Sequence, residues 1–74
     1  MIVQVRSYQG RRAGEWPVQF QVGSREYLVE EVVDHWDGSE VNFYKVRADD
    51  GNLYILGHRR AADEWSLESF RRLQ

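Results

Sequence analysis

Cysteine is absent from the 74-residue chain. That excludes thiol catalysis, cysteine-ligated zinc and a disulfide scaffold. No apolar run approaches the ~20 residues a membrane-spanning helix needs. The first residues show neither the basic nor the apolar segment of a secretory signal, so the expectation is a soluble, cytoplasmic protein. Proline occurs once, and lysine supplies one of ten basic residues. Glycine-rich phosphate loops and nucleophile elbows are missing too, so no familiar catalytic motif points to an enzyme. The net charge of −2 is too small to imply a polyanionic partner.

What the chain has is aromatic bulk: three Trp, four Tyr and three Phe. A domain this short sits near the lower limit for folding without disulfides or metal. Rings that each bury roughly 150–250 Å² are the means by which it could build a sufficient core. Charge is polarised along the chain. Residues 26–50 carry eight acids against Lys45 and Arg47, while both ends are rich in Arg. Such polarity suits either a steered partner or cross-strand pairing on solvated faces.

The hydrophobic pattern has period two almost throughout. "MIVQVRSY" alternates loosely as a first strand, and "QGRRAGE" has loop chemistry. "WPVQFQV" places Trp16, Val18, Phe20 and Val22 on one face, with Pro17, Gln19 and Gln21 on the other. Pro17 lacks an amide donor and belongs at a strand start or edge. Gly23-Ser24 fits a two-residue hairpin turn. "REYLVEEVVDHW" is rich in β-favouring residues. One bulge near Glu30-Glu31 would bring Tyr27, Val29, Val32 and Trp36 inward; without it Trp36 would be exposed.

"FYKVRADDGNLYIL" is a hairpin with two possible registers. A three-residue loop Asp49-Asp50-Gly51, with Gly51 left-handed, pairs Val46 with Tyr54 and Tyr44 with Leu56, gathering the apolar side chains on one face. Residues 63–74 read either as a last strand through "WSLESF" or as a helix capped by Asp63, with a frayed or helical tail over 71–74. The whole is a single all-β domain: an antiparallel meander of about six strands, rolled into a barrel or open roll.

The segments "SYQGRRAGEWPVQF", "YLVEEVVDHW", "FYKVRADDGNLYIL" and "DEWSL" resemble a family of small stand-alone bacterial proteins of similar length. Tyr8, Gly10, Arg12, Glu15, Pro17 and Phe20 match that family's series. Ser7 stands where the family often has cysteine, and Arg11 where it often has an aromatic. Residues 17–67 are more distantly similar to a domain at the C-terminus of some bacterial proteins related to Y-family, lesion-bypass DNA polymerases. The resemblance implies an all-β fold and, through the distant likeness, DNA-repair surroundings; it carries no activity with it.

Candidate sites are few. Asp34, His35 and Asp37 suggest a metal, but neighbours on a strand point to opposite faces, so neither a metal nor another cofactor is expected. Asp49 and Asp50 are explained by the turn. The loop around Arg11 and Arg12, flanked by Tyr8 and Glu15, could present guanidinium groups to a phosphate or acidic partner. It could equally be structural, with Arg12 paired to Glu15. Phe43, outward beside Lys45 and Arg47, has the form of a stacking platform. Arg59 and Arg60 complete the candidate set. The expectation is a non-catalytic binding or adaptor module, monomeric or homodimeric, with a protein partner. Nucleic-acid binding is the alternative, marked by a continuous stripe of Arg11, Arg12, Arg59 and Arg60. An enzyme with two converging titratable groups in a pocket is third.

Overall fold

The computed structural model describes residues 1–9 and 15–73. Six antiparallel strands follow one another around a closed barrel: β1 (Ile2–Gln9), β2 (Glu15–Val22), β3 (Arg25–Asp37), β4 (Val41–Ala48), β5 (Leu53–Arg59) and β6 (Glu64–Arg71). Residues 64–71 are therefore strand rather than helix. Closure rests on a short seam, with Ile2 opposite Ser66 and Val3 opposite Trp65. The Leu67 amide donates to the Met1 carbonyl at 2.8 Å beside it.

Two turns have the chemistry their sequences require. Val22 and Arg25 pair around Gly23-Ser24, and Gly23 has φ +61°. Arg47 lies opposite Leu53, Val46 opposite Tyr54 and Tyr44 opposite Leu56. Gly51 closes that loop with φ +84°, its amide donating to the Ala48 carbonyl at 2.9 Å. A left-handed residue is nearly free of steric cost only when it is glycine.

The interior is built from alternate residues. Val46, Ala48 and Leu56 are fully enclosed at its centre, and Phe20, Tyr44, Tyr54 and Trp65 surround them. Burying a Val or Leu side chain contributes about 1.5–3 kcal/mol. At one end Phe20, Tyr27, Tyr54 and Phe70 touch ring to ring, with centroids 5.0–5.2 Å apart. At the other, Trp16, His35, Tyr44, Trp65 and His58 form a chain of ring contacts.

Bulges correct the inside-outside assignment at two places. β3 carries two of them rather than one, leaving Glu30 and then Val33 without a partner on β4. The first brings Val32 inward with Tyr27 and Val29. The second shifts the parity again, so the ring of His35, itself exposed, lies against Trp16 and Tyr44 while Trp36 faces the other way, 41% exposed. In β2, Val18 is the unpaired residue between the Arg6–Gln19 and Ser7–Pro17 pairs. Pro17, expected outside, is fully buried, whereas Val18 does not join the core. Residues 15–18 have no partner on β3, so the missing amide of Pro17 breaks no ladder there.

Candidate binding surface

Outside the barrel, β4 presents Val41, Phe43, Lys45 and Arg47, because its alternate residues Asn42, Tyr44, Val46 and Ala48 are buried. β3 sets Trp36 opposite Phe43, Asp34 opposite Lys45 and Glu31 opposite Arg47. The Trp36 and Phe43 rings lie stacked, with centroids 5.5 Å apart and planes 19° from parallel. Gly38 makes room for them: a Cβ there would lie 2.9 Å from the Val41 carbonyl oxygen and 3.4 Å from the Phe43 ring.

Of the two cations on this face, Arg47 is already engaged. Arg47 Nη1 donates to Glu31 Oε1 at 2.7 Å, and its Nε lies 3.7 Å from Glu30 Oε1. Exposed pairs of this kind add at most about 1 kcal/mol to stability. Their effect on recognition is larger, because Arg47 is no longer a free cation. The face thus combines an aromatic pair with Glu30, Glu31 and Asp34 against Lys45 and Arg47.

The adjoining end of the barrel is polar inside. Asn42 and His58, opposite each other on β4 and β5, are both buried. Arg60 Nη1 donates to Asn42 Oδ1, Arg60 Nη2 donates to the Ser39 carbonyl at 2.5 Å, and the Arg60 amide reaches the Glu40 carbonyl at 3.3 Å. Arg60 therefore staples the β3–β4 turn to the β5–β6 turn. His58 stacks on Trp65 at 4.4 Å, and its Nε2 lies 2.7 Å from Asp63 Oδ1. His58 Nδ1 is sealed from solvent with no partner among the described residues. Burial raises the Tyr44 hydroxyl above its ordinary pKa, against a lowering hydrogen bond with Asn42; Asp37 and Glu15 nearby add to the rise.

Tyr8 is exposed and lies opposite Trp16 on β2. Glu15 accepts a 2.9 Å hydrogen bond from Ser7 Oγ. Phe43 is outward as its register requires. Arg59 and Arg60 are both exposed, and the guanidinium of Arg60 is hydrogen-bonded to Asn42 and the Ser39 carbonyl. Arg11 and Arg12, and with them the Arg12–Glu15 pair and the continuous arginine stripe, lie outside the described residues. No group of three metal-ligating side chains occurs among the described residues.

Two features escape the sequence reading. Trp36 as half of the outward pair depends on the second bulge, which no residue type announces. The buried Asn42 and His58 were available from parity alone, since each extends the inward rows of Tyr44 and Val46, and of Tyr54 and Leu56. No family model matches the chain, and neither a curated protein nor a solved structure matches it.

Proposed function

We propose that the domain is a non-catalytic binding module that holds a protein segment against the outer face of β3 and β4. The observation that carries this reading is the Trp36–Phe43 stack. Trp36 is 41% exposed, and the glycine beneath Phe43 makes room for that ring. Outward aromatics of this kind are enriched in protein contacts, where Trp supplies much of the binding energy. With Glu30 and Glu31 paired to Arg47, Asp34 and Lys45 beside the stack favour a segment that carries charged side chains of both signs as well as apolar ones.

Nucleic-acid binding in a DNA-repair setting is the second reading. It draws on the same stack, since bases pile on exposed rings beside cations, and on the distant likeness to the polymerase-associated domain. The ion pairing of Arg47 weighs against it. The test uses the intact domain and its Trp36→Ala/Phe43→Ala variant as paired baits, followed by reconstitution with the purified captured protein. Binding at least ~10-fold weaker in the variant, with unchanged unfolding, is the expected result. Equal binding by both baits would overturn the reading.

A further inference from the structure

The barrel's seam leaves a free strand edge. β1 pairs with β6 only at Ile2 and Val3, and from Gln4 to Gln9 it pairs with β2 alone among the described residues. The separation has a local cause. Asp63, just before β6, has φ +48°, and its amide donates to the Arg60 carbonyl at 3.3 Å. β6 begins only at Glu64, one residue beyond the Val3–Trp65 pair, so β1 runs on past its end, and the Asp63–His58 contact ties down the turn before it.

Between β1 and that turn lies a groove of about 410 Å³. Val3, Val5 and Trp65 give it an apolar floor, and Glu15, Asp63 and Glu64 supply its charge. Among the described residues, no lysine, arginine or histidine lines it. Arg59, opposite Glu64 in register, forms no ion pair with it among the described contacts.

From this juxtaposition we propose that the groove takes an extended basic segment of a partner protein, added as a strand to the free edge of β1. Backbone groups of Gln4–Gln9 that face away from β2 supply the hydrogen bonds. About six residues at ~3.4 Å each match that edge. Alternate side chains of the added strand fall over Val5 and Trp65, and lysine or arginine side chains reach Glu15, Asp63 and Glu64. This site does not rest on the Trp36–Phe43 face and stands if that face proves inert.

The test is an NMR titration of the labelled domain with a capped hexapeptide of alternating lysine and valine. An alternating glutamate and valine hexapeptide is the control. A third peptide is the lysine form, N-methylated at alternate residues to remove one row of donors. Expected are saturable shifts on Gln4–Gln9 and Trp65 with the lysine peptide alone. Glu15→Gln with Glu64→Gln should weaken binding about ten-fold; Asp63 is left intact because it holds His58. Equal binding of the N-methylated or acidic peptide would overturn the proposal, as would no binding or shifts confined to Trp36 and Phe43. Concentration-dependent shifts of Gln4–Gln9 without peptide would also overturn it, assigning the edge to a second copy of the chain.

Discussion

The two ends of this barrel solve opposite problems with similar residues. At the end formed by Phe20, Tyr27, Tyr54 and Phe70, the rings pack on one another and a hydrogen-bonded hairpin ties the turn down. Asp50 accepts from the Tyr54 hydroxyl at 2.5 Å and from the Asn52 amide at 3.0 Å. Asp49 exchanges hydrogen bonds with the Leu28 backbone. At the other end the rings are interleaved with Asn42, His58 and Arg60, β1 parts from β6, and Trp36 and Phe43 stand outside. Aromatic residues close a barrel where their neighbours are apolar, with Phe70 alone of the first end's four rings keeping half its surface in solvent. Among polar neighbours and free backbone they leave surfaces that a partner could cover.

The sharpest way to break that contrast is to remove one large ring from each end. Phe20→Ala should cost about 3–5 kcal/mol, because the ring is almost wholly enclosed. Trp16→Ala, at the polar end and only half-buried, should cost clearly less in the same denaturant titration. Equal losses would show that the two ends are packed alike. Asn42→Ala comes next, at about 1–3 kcal/mol, because it leaves the Arg60 guanidinium with the Ser39 carbonyl in place of two acceptors. An unchanged melting temperature would show that the polar staple is ornamental.

Gly51→Val should destabilise the closed end by about 1–3 kcal/mol, since a β-branched residue is strained at φ +84°. The same loop also carries a pH dependence. Burial acts to raise the Asp50 carboxyl, but the Tyr54 hydroxyl and the Asn52 donors outweigh it and hold its pKa below the ordinary carboxylate value. A carboxylate with a depressed folded pKa contributes stability that is present above its unfolded value of about 4 and is lost as pH falls through the folded one. Asp50→Asn should therefore flatten the acid limb of the stability–pH curve; an unaltered limb would refute the assignment. Tyr54 responds in the opposite direction. Burial and its hydrogen bonds to Asp50 and Tyr27 raise its pKa, so its share is intact below about pH 10 and fades only in stronger alkali.

How much of this was legible beforehand follows from where parity is preserved. In β4, and in β5 as far as Leu56, the alternation runs unbroken, so the loop Asp49-Asp50-Gly51, its register and the outward Phe43 could be read from residue types alone. In β2 and β3 the parity breaks at Val18, Glu30 and Val33. A bulge needs only one extra residue and no special side chain, so Pro17 and Trp36 were placed on the wrong sides. The β1 edge and its acidic groove were invisible for a different reason. They arise where β1 runs on past the start of β6 at Glu64, an offset between strands that no periodicity announces.

The smallest expected stability effect belongs to the proposed contact face. Trp36→Ala should change unfolding by less than about 1 kcal/mol, as a half-exposed side chain outside the core does, while removing the partner contact. A large loss of stability would make the Trp36–Phe43 stack part of the fold instead.

The central claim is that recognition belongs to the polar end. The most direct test is a backbone NMR map of the labelled domain with the reconstituted protein partner and, separately, with a mixed-sequence single strand at low and high salt. The expected result is partner-induced shifts on Trp36 and Phe43, with the signals of Phe20, Tyr27, Tyr54 and Phe70 unmoved. Shifts centred on those four rings would contradict it. Saturable, salt-sensitive shifts with the single strand would do so too, transferring the surface to nucleic acid.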